Sequence, residues 1–367
     1  MRAALLREAG KPIEIREDIQ VIEPRAGEVR VNIKYCGLCH SDLGFVTGSS
    51  PLMGPMIPGH EASGIVDTVG PGVSHLAPGD HVVLTPCAPC GQCYYCQRHQ
   101  QNLCVNAMSI MSGLLPDGCS GLSLAEQQVL RGCGIGALAD FVTLPATGAI
   151  RIDDDIPLEV ACVIGCALQT GVGAALNTAG MEPGSTSVVL GLGGVGMAVL
   201  QGARIAGASV IVGSDPLAER RDKAKAFGAT HVVDPNCDDL NALVLELTDG
   251  IGVDYAFEAA GKAALIEQAI QLTRMGGTTV AVGSPPVEEN LTIPNVVLFQ
   301  AFEKKFCGCL LGSSNSLYEI PRLLRLWRRG LLDIEAMITH RRPLEEVNEG
   351  FSDLKEGRGI RTVIEIG

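Results

Sequence analysis

Four cysteines in the first third of the chain have the spacing of metal ligands. They form the run C-x2-C-x2-C-x7-C, made by Cys90, Cys93, Cys96 and Cys104. Four thiolates this close in sequence can close a tetrahedral Zn²⁺ site with no position left for water, which is typical of a structural zinc. An iron–sulfur cluster, disulfides or uncoordinated thiols are the alternatives. Because the first residues lack the apolar segment of a signal peptide, we expect a reducing compartment, which disfavours disulfides.

A second group of reactive side chains lies upstream, in residues 39–42 (C-H-S-D) and 59–61 (G-H-E). A single histidine that follows a turn, as His60 does, is more often structural than a metal ligand. The segment 39–42, however, holds a thiol, an imidazole, a hydroxyl and a carboxylate in four consecutive residues. That combination strengthens the case for a metal ligand at His60.

A glycine-rich segment, G-L-G-G-V-G, follows the apolar strand SVVL and opens a helical pattern. This context is the one that a dinucleotide-binding fingerprint requires. Gly191 permits a tight turn, Gly193 lets the backbone approach a pyrophosphate, and Gly196 lets helix and strand pack closely. The helix N-terminus then offers free N–H groups to phosphates. The alternative is a glycine-rich turn in an α/β protein that binds no nucleotide.

The second strand of this unit ends at an acidic residue. Asp215 lies 19 residues after Gly196, close to the spacing expected for a carboxylate that binds a ribose 2′-hydroxyl. A carboxylate at this point would repel a 2′-phosphate, so we expect NAD rather than NADP. Arg220 keeps NADP open as an alternative, although a cation there can also lie against the adenosine ribose.

Length and charge restrict the possible partners. At 367 residues the chain is large for one core, and two domains are expected. Its formal charge of −13 argues against a nucleic-acid partner, since phosphate contacts need a basic face. A zinc-ribbon module that binds nucleic acid fails for the same reason, because only Arg98 lies within the cysteine run. No apolar stretch reaches the length of a membrane span, so we expect no membrane partner.

The predicted secondary structure changes in character near residue 166. Before it, short β-branched segments such as EVRVNIKYCG and EASGIVDTVG predict strands and turns. After it, helical and apolar strand patterns alternate as far as TTVAVG, which predicts a parallel sheet covered on both faces. Beyond about residue 310 we expect one long amphipathic helix and a C-terminal strand, IRTVIEIG.

Taken in order, these motifs resemble those of the zinc-dependent medium-chain alcohol dehydrogenases, within the medium-chain dehydrogenase/reductase superfamily. The resemblance runs nearly end to end, through C-G-L-C-H-S-D, P-G-H-E, the four-cysteine run, I-G-C-A-L-Q-T-G-V-G-A-A, G-L-G-G-V-G, V-A-V-G-S-P-P and I-R-T-V-I. It implies an α/β protein with two domains. A GroES-like, mainly-β catalytic domain would comprise residues 1–167 and 311–367, with a structural zinc lobe at about 87–105. A Rossmann domain with a doubly wound parallel sheet would comprise residues 168–310 and bind NAD.

The resemblance also implies roles for individual residues. Cys39, His60 and Cys166 would hold a catalytic zinc, giving two Zn²⁺ per chain with the structural one. Asp42 would hold the His60 ring through its other nitrogen, and Glu61 would lie behind the metal. Ser41 would take the proton of the substrate, with His40 assisting. The residues that would contact the coenzyme are Gly191, Gly193, Gly194, Val195, Gly196, Asp215, Arg220, Thr170, His40, Val282 and Arg361.

The activity implied is reversible oxidation of a primary alcohol to an aldehyde, by hydride transfer from a zinc-bound alkoxide to NAD. One alternative is a formaldehyde dehydrogenase that acts on an S-hydroxymethyl adduct of glutathione or mycothiol. Another is a catalytically silent zinc-binding relative, which the intact ligand set disfavours. Many relatives carry a histidine five residues after the first zinc cysteine, where this chain has Gly44. The proton relay is therefore expected to end at the coenzyme ribose and water, or to use His40.

The remaining cysteines are mostly expected to be small core residues. They are Cys36, Cys87, Cys119, Cys133, Cys162, Cys237, Cys307 and Cys309. The long segment between Cys104 and Cys166 resembles that of dimeric relatives, so we expect a homodimer, with a tetramer as the alternative. The expected partner is a small-molecule alcohol or aldehyde, and the expected location is the cytoplasm.

Overall fold

The computed structural model describes residues 1–293 and 295–367. They form two compact units. The first unit comprises Met1–Cys166, Asn315–Leu326 and Ile334–Gly367, and the second comprises Ala167–Ser314 and Trp327–Asp333.

The first unit is built mainly of strands. They are β1 (Ala3–Leu5), β2 (Glu14–Arg16), β3 (Gln20–Val21), β4 (Glu28–Gly37), β5 (Met56–Ile57), β6 (Glu61–Val69), β7 (His81–Leu84), β8 (Leu122–Leu124), β9 (Gln127–Gln128), β10 (Leu130–Arg131), β11 (Phe141–Pro145), β12 (Ala149–Arg151), β19 (Ile338–Pro343) and β20 (Arg361–Glu365). Its helices are α1 (His40–Thr47), α2 (Tyr94–Gln97), α3 (Ser109–Ser112), α4 (Leu158–Cys162), most of α11 (Ser316–Arg328), and α12 (Val347–Lys355). A seven-stranded sheet has the order β12-β7-β6-β4-β20-β19, with β11 also paired to β4.

Strand β4 organises this sheet. Its residues Val29, Val31 and Ile33 alternate with less buried neighbours and lie in the core, as the period-2 pattern of the sequence requires. At the end of β4, Gly37 pairs with Glu61 of β6 and with Val363 of β20. The end of β4, the start of β6 and the middle of β20 therefore meet at one place, next to the start of α1.

The second unit contains a six-stranded parallel sheet in the order β15-β14-β13-β16-β17-β18. Its strands are β13 (Thr186–Leu190), β14 (Val210–Ser214), β15 (His231–Val233), β16 (Val253–Glu258), β17 (Thr273–Ala281) and β18 (Lys305–Gly308). Its helices are α5 (Ala167–Gly173), α6 (Gly194–Ala206), α7 (Ala218–Phe227), α8 (Leu240–Leu247), α9 (Ala263–Leu272) and α10 (Val296–Ala301). The strand order reverses between β13 and β16, and ligands of such sheets bind beyond the carboxyl ends of the strands at that point.

The expected fold class is confirmed, with a mainly-β unit and a doubly wound parallel-sheet unit. The C-terminal region holds more than the one helix and one strand that the sequence predicted, because β19 and α12 lie between α11 and β20. The buried face of α12 is formed by Val347, Phe351 and Leu354, a spacing of i, i+4 and i+7 that indicates an amphipathic helix. Cys237 is exposed in a turn rather than in the core.

Among the described residues, no single helix combines the length and the apolar character needed to cross a membrane. The consecutive helical segments Leu158–Gly165 and Ala167–Thr178 meet those two criteria only when they are taken together as a bent pair. The same criteria are met by buried core helices, and most residues of these two segments are buried.

Candidate active site

The junction of β4 and α1 places two candidate site residues. Cys39 is the N-cap of α1, with an extended backbone, and its carbonyl accepts a hydrogen bond from Leu43 N–H at 3.0 Å. Asp42, in the first turn of α1, is fully buried, and its Oδ1 accepts a hydrogen bond from Gly59 N–H at 2.8 Å. Gly59 has a φ of +99°, a conformation that favours glycine. This hydrogen bond fixes α1 to the turn that immediately precedes His60.

Four metal-binding side chains converge here. Ligand atoms of Cys39, His60, Glu61 and Cys166 all lie within 4.8 Å of one another. His60 and Glu61 come from the start of β6, and Cys166 follows the short 3₁₀ turn Val163–Gly165. All four residues belong to the first unit. Two thiols, an imidazole and a carboxylate are ligands that suit a borderline-soft dication such as Zn²⁺.

Burial and close contacts shift the acidity of these groups. A hydrogen bond from Cys166 lowers the pKa of the Cys39 thiol well below its ordinary value. Burial raises the pKa of Glu61 to about 8, although Arg361 acts in the opposite direction. Burial disfavours a charged His60 ring, but the Asp42 carboxylate and the neighbouring cysteine sulfurs together outweigh that effect and raise the pKa of His60.

The surroundings of His60 and Glu61 contain buried polar atoms that lack hydrogen bonds. His60 Nδ1 lies 2.9 Å from Asp42 Oδ2, and Arg361 Nη2 lies 3.3 Å from Glu61 Oε1. Among the described residues, His60 Nδ1 and Asp42 Oδ2 have no hydrogen-bond partner. The same holds for both carboxylate oxygens of Glu61. Buried polar groups are normally satisfied. A cation between the thiols and the imidazole would compensate these groups, so the residues present fit a zinc ion.

The four-cysteine run forms a separate cluster, as its spacing predicted. The Sγ atoms of Cys90, Cys93, Cys96 and Cys104 lie within 4.8 Å of one another. Backbone N–H groups point at the sulfurs: Cys93 N–H donates to Cys90 Sγ at 3.3 Å, and Asn106 N–H donates to Cys104 Sγ at 3.4 Å. Hydrogen bonds from the backbone help to lower the pKa of the Cys93 thiol to about 6. Four convergent sulfurs with such donors fit a closed, structural zinc.

In the second unit, the glycine-rich turn connects β13 to α6. Gly191 has a φ of +95°, and a Cβ there would lie 2.9 Å from Ala260 N, so the turn and the loop after β16 are in close contact. Gly193 is the N-cap of α6 and has no side chain to cap it. The first N–H groups of a helix have no partner within the helix. At this turn they are therefore suited to the phosphates of a dinucleotide.

Asp215 is fixed to this turn by hydrogen bonds. Its Oδ2 accepts from Leu192 N–H at 2.8 Å and its Oδ1 accepts from Leu217 N–H at 2.9 Å. The residue is only 3% exposed, and Arg220 Nη1 lies 3.7 Å from its Oδ2. A negative charge is thus held rigidly at the carboxyl end of β14, beside the glycine-rich turn. This arrangement fits a nucleotide whose ribose carries a free 2′-hydroxyl.

Comparison with known proteins agrees with this geometry. Residues 25–154 match the family model described as the alcohol dehydrogenase GroES-like domain, and residues 194–327 match the one described as zinc-binding dehydrogenase. The NDMA-dependent alcohol dehydrogenase of Amycolatopsis methanolica is 38% identical over 365 residues, which cover 99% of this chain and 98% of that protein. The chain belongs to the zinc-dependent medium-chain dehydrogenase family.

Two further relatives of this medium-chain dehydrogenase support an oxidoreductase of the alcohol dehydrogenase type. Alcohol dehydrogenase B of Mycobacterium tuberculosis is 37% identical over 372 residues, covering 99% of this chain and 97% of that protein. The crystal structure of benzyl alcohol dehydrogenase from Acinetobacter calcoaceticus superimposes with a TM-score of 0.93 at 29% identity, covering 100% of this chain and 99% of that one.

The other residues expected to act in this dehydrogenase occupy both units. In the first unit, half-buried Ser41 has its Oγ 3.9 Å from Cys39 Sγ, and His40 is exposed at the start of α1. Arg361 is 3% exposed, and its guanidinium contacts Leu38 O at 2.9 Å in addition to Glu61. In the second unit, Thr170 is buried in α5, and Val282 follows β17.

Gly44 lies one turn of α1 beyond Ser41, on the same face of the helix. A Cβ at this position would lie 2.7 Å from Ser50 Oγ and 3.5 Å from Ser49 Oγ. Serine hydroxyls thus fill the space into which a larger side chain at position 44 would extend.

Sequence reasoning missed two residues of these sites. Cys133 is buried in the core, as expected, but the sequence held no indication that its Sγ lies within 4.8 Å of a ring nitrogen of His60 and a carboxylate oxygen of Asp42. Glu258, fully buried at the end of β16, accepts hydrogen bonds from Ala260 N–H at 2.8 Å and Lys262 N–H at 3.2 Å. It thereby orders the loop that packs against the glycine-rich turn. The sequence did offer one indication of Glu258: it ends a strand next to the point where the strand order of the sheet reverses, and ligands bind at such points.

Loss of a ligand from the four-cysteine cluster is expected to lower the stability of the fold without directly affecting catalysis. Replacing Cys104 with Ser should remove a ligand of a closed site and lower the free energy of unfolding, on the order of 4 kcal/mol. The matched control is Cys119→Ala, because the Cys119 sulfur lies outside the four-cysteine cluster and accepts a hydrogen bond from Gly121 N–H. Urea denaturation with parallel zinc analysis measures both effects. Equal stability and equal zinc content in Cys104→Ser and wild type would contradict a structural zinc at this cluster.

Proposed function

We propose that this chain is a zinc- and NAD-dependent alcohol dehydrogenase that reversibly oxidises a primary alcohol to an aldehyde. The observation that carries the proposal is the buried convergence of Cys39, His60 and Cys166, with the Ser41 hydroxyl 3.9 Å from the Cys39 sulfur. Three such ligands are the usual protein set of a catalytic zinc that keeps one position open. The names of the relatives, which are alcohol dehydrogenases, support the same reaction.

Each group of residues has a part in this proposal. Cys39, His60 and Cys166 would hold the zinc, and the turn Gly191–Gly196 with Asp215 would hold the coenzyme. When bound, zinc polarises the oxygen of an alcohol or aldehyde, and NAD exchanges a hydride with the neighbouring carbon. Asp42 orients the His60 ring from the side of Nδ1, which leaves Nε2 as the nitrogen available to a metal. Arg361 Nη2 lies 3.3 Å from Glu61 Oε1 and favours the charged form of that buried carboxyl.

Ser41 is proposed to move the substrate proton. Its Oγ accepts the proton of the substrate hydroxyl while it passes its own proton onward. Gly44 offers no side chain to receive that proton, so the proton would leave to water or to the exposed imidazole of His40, and a bound coenzyme would offer its ribose hydroxyls as a further acceptor. The hydroxyls of Ser49 and Ser50 next to Gly44 provide a polar wall on this face of α1.

The electron acceptor deserves a direct comparison, because one relative is named for its dependence on NDMA. The Rossmann-type sheet, the glycine-rich turn and Asp215 favour NAD as the bound coenzyme. Assays with free NAD and with NDMA as alternative acceptors would distinguish coenzyme that dissociates after each turnover from coenzyme that is reoxidised in place.

We also propose that the protein works as a homodimer in the cytoplasm. None of the fourteen cysteines forms a disulfide, which suits a reducing compartment. Among the described residues, strand β18 has a sheet partner on its β17 side alone, and an edge strand of this kind is a natural pairing surface for a second chain. Light scattering coupled to size exclusion would measure the assembly.

The proposed activity can be tested on the zinc-loaded enzyme with a panel of primary alcohols, aldehydes and an S-hydroxymethyl thiol adduct. We expect turnover of alcohols and its loss in Cys39→Ala, because that variant lacks a zinc ligand. Binding of NADH should persist, since the glycine-rich turn belongs to the other unit. Cys162→Ala is the control, as its buried thiol donates to Glu159 O instead. Turnover by Cys39→Ala at the wild-type rate would refute the proposed site.

Ser41→Ala tests the proton path. Loss of general-base assistance should slow the single-turnover rate of coenzyme reduction by about 10²–10⁴-fold. Ser63→Ala is the comparison, since that hydroxyl donates to Leu158 O and belongs to the sheet. The measurement is stopped-flow absorbance of the reduced coenzyme from pH 6 to pH 9. Unchanged rates across this range would show that the proton leaves by another route.

Asp215 should determine the choice of coenzyme. Asp215→Asn keeps a side chain of the same size but removes the charge that would repel a 2′-phosphate. The ratio of kcat/KM for NAD to that for NADP should fall by about tenfold or more. Asp222→Asn, an exposed carboxylate on α7, is the charge-matched control. A wild-type enzyme that prefers NADP in the same assay would overturn the prediction.

A further inference from the structure

The imidazole of His60 has a further polar neighbour that the proposed zinc site does not use. The sulfur of Cys133, a ring nitrogen of His60 and a carboxylate oxygen of Asp42 lie within 4.8 Å of one another, and all three residues are buried. Asp42 Oδ2 and His60 Nδ1 are the facing atoms of the other two residues, at 2.9 Å. The thiol therefore lies at the contact between the ring and the carboxylate. It belongs to the first unit, as they do.

The backbone holds Cys133 in this place at some cost. The residue lies in the short turn Gly132–Gly134 with a φ of +47° and a ψ of +35°, a left-handed conformation that is uncommon for a side chain other than Gly, Asn or Asp. A Cβ on Gly132 would lie 2.7 Å from Pro58 Cα, so the turn packs directly on the segment that leads to His60. Strained residues persist where the surrounding structure fixes them.

A buried arginine fixes this turn. The side chain of Arg131 is 1% exposed, and it donates to Ile135 O at 3.2 Å and to Thr143 O at 2.6 Å. Beyond the turn, Ala137 N–H donates to Gly59 O at 2.8 Å. The turn that carries Cys133 is thus fastened on one side to Arg131 and on the other to the residue before His60.

The hydrogen-bonding capacity of Asp42 leaves a place for the thiol. Its Oδ1 accepts from Gly59 N–H, and its Oδ2 faces His60 Nδ1. Among the described residues, neither Oδ2 nor His60 Nδ1 has a hydrogen-bond partner, and the Cys133 thiol is the further polar group beside them. A thiol is ordinarily protonated at neutral pH and is a weak donor.

We propose that Cys133 is a positioning residue for the metal ligand His60, its polar thiol confining the imidazole together with the Asp42 carboxylate so that the ring keeps one orientation. The inference rests on the proposed zinc site and adds a third residue behind the histidine. Partners of this kind fix the orientation of a metal-binding ring, and their loss typically weakens metal binding by about 10–100-fold.

The test measures metal release from the zinc-loaded protein, so that its readout does not depend on turnover. A chelator in excess should remove zinc in two phases, and the fast phase should be the one that is absent in His60→Ala. In C133A the fast phase should accelerate by about tenfold, while the slow phase from the four-cysteine cluster stays unchanged. C133S, which keeps a donor, should release zinc within about twofold of wild type.

Two further variants complete the design. C133G removes the thiol and relieves the positive φ, so a folded protein is expected even if C133A accumulates poorly. Cys162→Ala, which empties a similarly buried thiol position in the same unit, should leave both phases unchanged. In cobalt-substituted protein, the visible d–d bands should shift in C133A and C133G and be restored in C133S.

The outcomes separate the inference from the proposed function. If wild type shows no fast phase that depends on His60, the proposed zinc site itself is wrong. If the fast phase is present, and C133A and C133G match wild type in release and in cobalt spectrum, Cys133 has no positioning role. If C133S is as impaired as C133A, a polar group at this position does not hold the ring, and the proposed role of the thiol is refuted.

Discussion

The compensation of buried charge around His60 is the constraint on which the first unit depends. Asp42, Glu61 and Arg361 are each at most 3% exposed, and the thiols of Cys39 and Cys166 lie among them. Isolated charges are very costly away from water, so such a group persists only if its members balance one another or bind a cation. The pairing of Arg361 with Glu61 balances one carboxylate. A dication held by the two thiols and the imidazole would compensate the remaining negative charge.

A buried carboxylate that accepts backbone N–H groups occurs at each of three turns in the proposed sites. Asp42 accepts the N–H of Gly59, Asp215 accepts the N–H of Leu192, and Glu258 accepts the N–H of Ala260. In each case a buried carboxylate binds the backbone of a glycine-containing turn and fixes its conformation. Hydrogen bonds between a charged group and the backbone are stronger than neutral ones. Rigid turns at the ends of strands are what a preorganised site requires, because flexible loops would have to be ordered upon binding.

Much of this arrangement could be predicted from the sequence, because it is encoded by local spacing. The four-cysteine cluster is formed within one short segment, and the glycine-rich turn with Asp215 is a single β-α-β unit. The contact of Asp42 with His60 was implied only by the family resemblance. Cys133 could not be found in this way, because its place beside His60 depends on a left-handed turn and on the buried guanidinium of Arg131. Periodicity and spacing report neither.

For Glu258 and Gly44, too, the sequence predicts part of the local arrangement but not the contacts that depend on how the chain folds back. A carboxylate at the end of a strand could be noticed in the sequence, but its bonds to the following loop depend on how that loop folds back. The serine hydroxyls beside Gly44 come from the turn directly after α1, so the missing relay side chain could be predicted from the sequence, whereas the way this turn folds back over Gly44 could not.

The most direct test of the account is the position of the metal next to His60. Anomalous diffraction from crystals of the zinc-loaded protein, recorded on both sides of the zinc absorption edge, locates each ion without reference to activity. The account predicts one peak enclosed by the four-cysteine cluster and a second peak bonded to Cys39, His60 Nε2 and Cys166. Absence of the second peak, or a peak on the Nδ1 side between Asp42 and Cys133, would contradict it.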